Sequence, residues 1–275
     1  MEQGWKTEIS TATEEKTLIR GYNIEDLMSK CSFTQVIFLL WKGELPNKKQ
    51  EALLNTILIS AVEHGITPPS ITAARIAYSG SGQFNSAVAA GILAIGQHHG
   101  GAMEGCAQLL QIHCDEEFKG KPEEEIAKHI VDNMMERKQR IPGFGHKVYT
   151  DADPRAQKIL DAAKKNGFSG RYVKTLEKIE SYLEKHFEAK LRNALQNPKD
   201  FEMKKGKKLC INIDGAIAAV MLEMGFDWKL GRGFFIIART AGIIAHVHEE
   251  ACKEKPFRRL EDKETSYSGV KERKL

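Results

Sequence analysis

The chain has 275 residues, 41% of them hydrophobic and 28% charged, with 41 Lys+Arg against 37 Asp+Glu for a net charge of +4. Such a composition gives a globule with ample chain for a core and argues against long disorder, while the charge is too close to balance to demand a nucleic-acid partner. The five cysteines (31, 106, 114, 210 and 252) form no CxxC pair, so they predict neither a zinc site nor a disulfide set and read as buried thiols of a reducing compartment.

The opening MEQGWKTEIS has no basic segment before an apolar run, so no secretory signal is expected. Asn47 predicts the cap of a helix in which Leu53, Leu54, Ile57, Leu58, Ala61 and Val62 recur at helical spacing, stopped by Gly65, Pro68 and Pro69. Residues 85–96 (NSAVAAGILAIG) are apolar or small all round and predict a helix buried on most sides. After Pro122 and an acidic first turn, Ile126, Ala127, Ile130, Val131 and Met134 form a second stripe; Tyr172, Leu176, Ile179 and Leu183 form a third. The most apolar stretch, 234–247 (FFIIARTAGIIAHV), is interrupted by Arg239 and His246 and falls short of the ~20 apolar residues of a membrane helix. Sustained period-2 alternation is missing, so strands should be few and short. The expectation is an all-α cytoplasmic protein without a membrane or nucleic-acid partner. The charged region from about 150 to 205 reads as a more solvated lobe, giving a discontinuous large domain (1–145 and 230–275) around a small helical one (146–229).

Polar islands break the helical pattern. His99 stands before Gly100-Gly101, where paired glycines let the backbone turn sharply or approach a ligand, although a helix C-cap with a surface histidine fits as well. Ile141-Pro142-Gly143-Phe144-Gly145-His146-Lys147 is too rich in conformational punctuation for a helix interior and makes a rigid loop exposing amides, an imidazole and an ammonium. Asp153-Pro154-Arg155 starts a helix with Asp as cap and Pro in the first turn. Arg155 is misplaced against the helix dipole there, so either an anion compensates it or it is simply solvated. Asp214 opens an apolar segment, where it is either a helix N-cap or a carboxyl whose burial suits acid–base work near neutral pH. Arg239, inside an apolar helix, needs a carboxylate from the protein or from a ligand. Arg258-Arg259 begin the tail as a basic spot.

In order, these islands resemble the citrate synthase superfamily. The resemblance begins at Leu18–Leu27 (LIRGYNIEDL), passes through Ser32-Phe33 and Phe38–Pro46 (FLLWKGELP), and takes in His99-Gly100-Gly101-Ala102, Pro142–His146, Asp153-Pro154-Arg155, Asn212-Ile213-Asp214 and Ala238–His246. It implies a citrate synthase-like, two-domain helical fold, usually dimeric or a higher homo-oligomer, working between lobes on acetyl-CoA, oxaloacetate and citryl-CoA. By the same carry-over, His99 steadies the acetyl-CoA enol, His146 bonds the oxaloacetate carbonyl or citryl hydroxyl oxygen, and Asp214 handles the methyl proton. Arg155 and Arg239 bind carboxylates, and one of Arg258 and Arg259 supplies a further arginine. The coenzyme A phosphates fall to lysines and amides of Gly143, Phe144, Gly145 and Lys147. No metal is implied, and no bound cofactor beyond the coenzyme A thioester as substrate.

Two departures point to a sub-branch. The helical material between the GELP-like and NAS-like segments is short, and Gly82 stands three residues before Asn85, where citrate synthases carry an oxaloacetate-binding histidine. Both traits are similar to citryl-CoA lyase and the lyase module of ATP-citrate lyase. The chain lacks room for citrate activation, so a citryl-CoA synthetase would be a separate functional partner. A compact citrate or 2-methylcitrate synthase is the second reading, and a non-catalytic subunit of a citrate-activating enzyme the third.

Overall fold

In a computed structural model of the chain, residues 4–146, 149, 151–194, 209–259 and 262–274 are described. They are mostly helical, and contacts divide the chain into two compact units: 1–61 with 100–238, and 62–99 with 239–275. The expected small domain, 146–229, falls wholly within the first of these.

The first unit opens on a small antiparallel meander, β1 (Ser10–Ala12), β2 (Thr17–Ile19) and β3 (Tyr22–Asn23), with Ser10 opposite Ile19 and Leu18 opposite Asn23. Its strands are as few and short as the absent alternation predicts. Asn23 then caps α1 (Ile24–Lys30) by accepting from the Glu25 amide. Ser32 and Gln35 close a capping box on α2 (Phe33–Lys42), which ends at Gly43 in the left-handed region (φ 83°). The cap read at Asn47 is real: its side-chain oxygen accepts from the Lys49 and Gln50 amides at the head of α3 (Lys48–Ala61), which buries Leu53, Leu54 and Ile57 completely.

After the second unit's insertion come α6 (Gly101–Gln111), a π-helical turn (Ile112–Glu117), α7 (Glu123–Glu136), α8 (Pro154–Asn166), α9 (Arg171–Ala194) and α10 (Ile213–Glu223). The stripes foreseen on α7 and α9 face inward, with Ile126, Ala127, Ile130, Val131, Leu176 and Ile179 all sealed from solvent. Helix α10 is buried from Gly215 to Leu222 and packs on α6, α8 and α9, which explains why its sequence carries no polar face. Its last residue, Glu223, accepts the Tyr172 and Val173 amides (2.8 and 3.1 Å) and so caps α9 from a distant element. Phe38, Trp41, Phe226 and Phe234 form an aromatic cluster with ring centroids 4.8–6.0 Å apart, edge-to-face except for the tilted Trp41–Phe234 pair.

The second unit contains α4 (Pro69–Ser81), α5 (Phe84–Leu93) and, from Arg239 onward, the helix α11 (Gly231–Lys253). Helix α5 corrects the expectation of burial on most sides: only Ala87 and Gly91 are buried, while Phe84 and Leu93 are exposed. Small residues there serve close packing. A Cβ on Gly91 would come within 2.9 Å of both the Ser70 carbonyl oxygen and Ile243. Residues 228–253 are long and apolar enough to cross a bilayer by composition. Buried Arg239, and a buried Glu250 held in ion pairs, mark α11 as a core helix instead.

Candidate active site

In the first unit the Pro142–His146 loop is locked against the strand-like run before α10. Phe144 bridges Ile211, the Gly145 amide donates to the Cys210 carbonyl (2.8 Å), and the Asn212 amide donates to the Gly143 carbonyl (3.0 Å). The Asn212 side chain adds a bond from its amide to the Gly145 carbonyl (2.9 Å) while its oxygen accepts from the Asp214 and Gly215 amides. Gly143 (φ 88°) has no room for a side chain, since a Cβ would sit 2.7 Å from Cys106 Sγ and 2.8 Å from the Gly215 Cα. The loop is thus a fixed platform, as its punctuation predicts.

Asn212, not Asp214, caps α10. Asp214 occupies the first turn and is half-buried. Its charge, after burial, helps push the Cys106 thiol up and also favours the charged form of Arg155.

The anion that compensates Arg155 belongs to the chain itself. Asp153 is fully buried, caps α8 through the Arg155 amide (3.0 Å), and takes the Nε–Nη2 edge of the guanidinium at 3.1 and 2.9 Å. It also accepts the Ile213 amide (3.2 Å), tying α8 to α10. Burial alone would raise this carboxyl; the guanidinium and backbone donors outweigh it and hold Asp153 below the usual carboxylate range. Sequence reading named Asp153 as a cap and missed it as the partner of Arg155.

His146 stands beside Arg155, with Nε2 3.5 Å from Nη2, and its ring stacks on Tyr149 at 4.6 Å. Its Nδ1 accepts from the Tyr149 amide (3.2 Å), while the Arg155 donor faces Nε2, so the two contacts call for opposite tautomers of the neutral ring. Acting as a base through Nε2 requires the tautomer with its proton on Nδ1 and loss of the Tyr149 contact. Tyr149 carried no motif signal, because its part is played by a backbone amide. Lys147, the candidate for coenzyme A phosphate, lies outside the described residues.

The second unit holds the remaining candidates. His99 closes a tight turn, its amide and carbonyl both bonded to Gly96, and its Nε2 lies 2.8 Å from the hydroxyl of buried Ser70 on α4. Burial first, and then the charge of Arg239, lower its pKa, so the imidazole is neutral at physiological pH. It is therefore more than a solvated helix-end histidine. Arg239 is 4% exposed.

The tail arginines separate. Arg258 grips Glu250 with Nε and Nη2 (both 3.0 Å) and also reaches Glu254, while Arg75 holds the same Glu250 at 2.6 Å. The Phe257 and Arg258 amides bond to Ser79 at the end of α4. Arg258 is therefore bound into an ion cluster, whereas Arg259 is exposed. The structure thus assembles His146, Arg155 and Asp214 in one unit, and His99 with Arg239 in the other.

A family model for the citrate synthase C-terminal domain matches residues 3–55 and 48–260. The chain belongs to the citrate synthase family. A solved citryl-CoA lyase from Hydrogenobacter thermophilus is 40% identical, with a TM-score of 0.83 over 99% of this chain and 98% of that one. Citrate synthase 2 of Bacillus subtilis is 29% identical over 76% of this chain, which spans about half (49%) of that relative's length. ATP citrate lyase from Methanothrix soehngenii shares the fold, at 22% identity and a TM-score of 0.76, over 99% of this chain and 43% of its own.

Proposed function

We propose that this citrate synthase-family chain is a citryl-CoA lyase, cleaving citryl-CoA to acetyl-CoA and oxaloacetate. The observation that carries the reading is the end-to-end likeness to a citryl-CoA lyase, at 40% identity over nearly all of both chains. Gly82 agrees with it. The residue is the left-handed C-cap of α4 (φ 64°), and its N–H bonds the Tyr78 carbonyl, so this position supplies a helix end where synthases carry a ligand-binding histidine.

The reaction is a retro-Claisen step. His146, in the tautomer with its ring proton on Nδ1, takes the hydroxyl proton. The carbon–carbon bond breaks as the carbonyl forms, and its electron pair passes to the thioester-bearing carbon. The neutral His99 meets the enolate charge; a fixed donor does this without reorganising at the moment of reaction. A protonated Asp214 carboxyl then delivers its proton to that carbon, giving the acetyl methyl group. Arg155, oriented from one edge by Asp153, turns its remaining donors to a substrate carboxylate, and Arg239 takes another. Gly143, Phe144, Gly145 and Lys147 receive the coenzyme A arm, with Arg259 the tail arginine left for the substrate.

The synthase names among the curated relatives favour a second reading, formation and hydrolysis of citryl-CoA. Product analysis separates the two. Purified protein given citryl-CoA should release oxaloacetate, read by coupling to malate dehydrogenase; citrate and free coenzyme A instead would make it a synthase.

A further inference from the structure

We propose that His113, Glu117 and His129 form a binding site for a divalent transition-metal ion of the zinc type. The site stands apart from the proposed catalytic residues and rests on none of them.

The π-helical turn Ile112–Glu117 carries His113 and Glu117 four residues apart, and α7 brings His129 to the same place. One ligand atom from each of the three lies within 4.8 Å of the other two. Wide helical turns of this kind are rare and recur at functional sites. This one is genuine: the Phe118 amide reaches back five residues to the His113 carbonyl (3.0 Å).

The protonation logic decides what belongs between them. His113 Nδ1 lies 2.8 Å from the Leu109 carbonyl oxygen, which can only accept, so Nδ1 carries a proton. Its Nε2 faces Glu117 Oε2 at 3.4 Å. A lone pair against a carboxylate is repulsive, so a cation belongs there, either a second proton on the ring or a metal ion. A proton satisfies His113 and Glu117 but gives His129 nothing to do. A metal ion uses all three. Zinc at about 2.0–2.1 Å from each donor sets tetrahedral ligand atoms about 3.3–3.5 Å apart, a spacing the His113–Glu117 pair already has. Glu117, with half of its side chain exposed, has the freedom to close the remaining gap.

The surroundings fit the same purpose. The Leu109 carbonyl fixes the His113 tautomer, as outer hydrogen bonds do for metal-bound imidazoles. Phe118 backs both rings, parallel to His113 (8° between planes) and 4.6 Å from His129. Two imidazoles and a carboxylate suit zinc and its first-row neighbours better than calcium or magnesium. Bound there, the ion would clip the π-turn to α7. The spacing of the three residues matches no zinc motif, so only the fold reveals the cluster.

The test is calorimetric titration of chelator-stripped full-length protein with Zn2+, with Co2+ and its visible spectrum as a second probe. Micromolar or tighter binding is expected. His129→Gln and Glu117→Gln should each weaken it at least about tenfold, with wild-type circular dichroism. His248→Gln, which removes the exposed pair of His248 with Cys252, should change nothing. Glu117 is a surface residue, so Glu117→Gln decides the matter even if His129→Gln does not fold. Absence of Zn2+ binding to the wild type, leaving a protonated ion pair, or an affinity unchanged in Glu117→Gln would overturn the site.

Discussion

His146 and Asp214 each depend on a neighbour for their local setting. Tyr149 supplies a backbone amide to one ring nitrogen of His146, and Asn212 relieves Asp214 of capping α10. Replacing Asp214 leaves the cap of α10 in place, and replacing His146 gives up the one bond from the Tyr149 amide. His146→Ala and Asp214→Asn should lower turnover of citryl-CoA by at least ~10²-fold, with melting temperatures near wild type; near-full turnover in steady-state assays would reject the assigned roles. At this scale the sequence showed the reactive side chains, since histidine and aspartate beside glycine or proline stand out. It hid their supports. Ser70, Tyr149 and Asn212 act through a hydroxyl, a backbone amide and a cap, and nothing in a linear pattern tells such residues from ordinary ones. Asp153 was legible as a cap because Pro154 follows it, yet its grip on Arg155 required coordinates.

Helices were the most legible elements. Stripes at 3.6-residue spacing on α3, α7 and α9, and caps at Asn47 and Asp153, all correspond to buried faces and real hydrogen bonds. The reading failed for α5, where small apolar residues suggested enclosure but Gly91 and Ala87 make only one tight seam. Nor did any pattern announce the π-turn, because an extra residue in one helical turn leaves no compositional trace. The second unit depends on a further unforeseen device. Glu250 on α11 is sealed from solvent between Arg75 of α4 and Arg258 of the tail. Burial alone would raise the Glu250 carboxyl, but the two guanidinium groups outweigh it and lower its pKa from 4.5. A carboxyl depressed in the folded state stabilises above its unfolded pKa and ceases to do so as pH falls through the folded value. Glu250→Gln should therefore cost about 1–3 kcal/mol near neutral pH, the range for disrupting a buried charged hydrogen bond. That cost should shrink as the pH drops below 4.5. Thermal melts of both proteins across that range check this; a difference independent of pH would contradict it.

At the scale of the molecule, the order of short motifs along the chain was enough to give the family and the helical fold, because eight weak blocks in sequence are specific where one is not. The grouping of residues into units was much less legible, since linkers without Pro, Gly or Ser runs leave no mark. The proposed chemistry rests first on His146, Arg155 and Asp214, which one unit carries. Its central claim is that His146 and Asp214 act on a single molecule of citryl-CoA. The most direct measurement is a double-mutant cycle on cleavage rate, with Asp214→Asn, His146→Ala and the double variant. Groups that work as one unit are strongly non-additive, so the double variant should be little slower than the slower single one. Losses that multiply, each variant reducing the rate by the same factor with or without the other, would contradict the account.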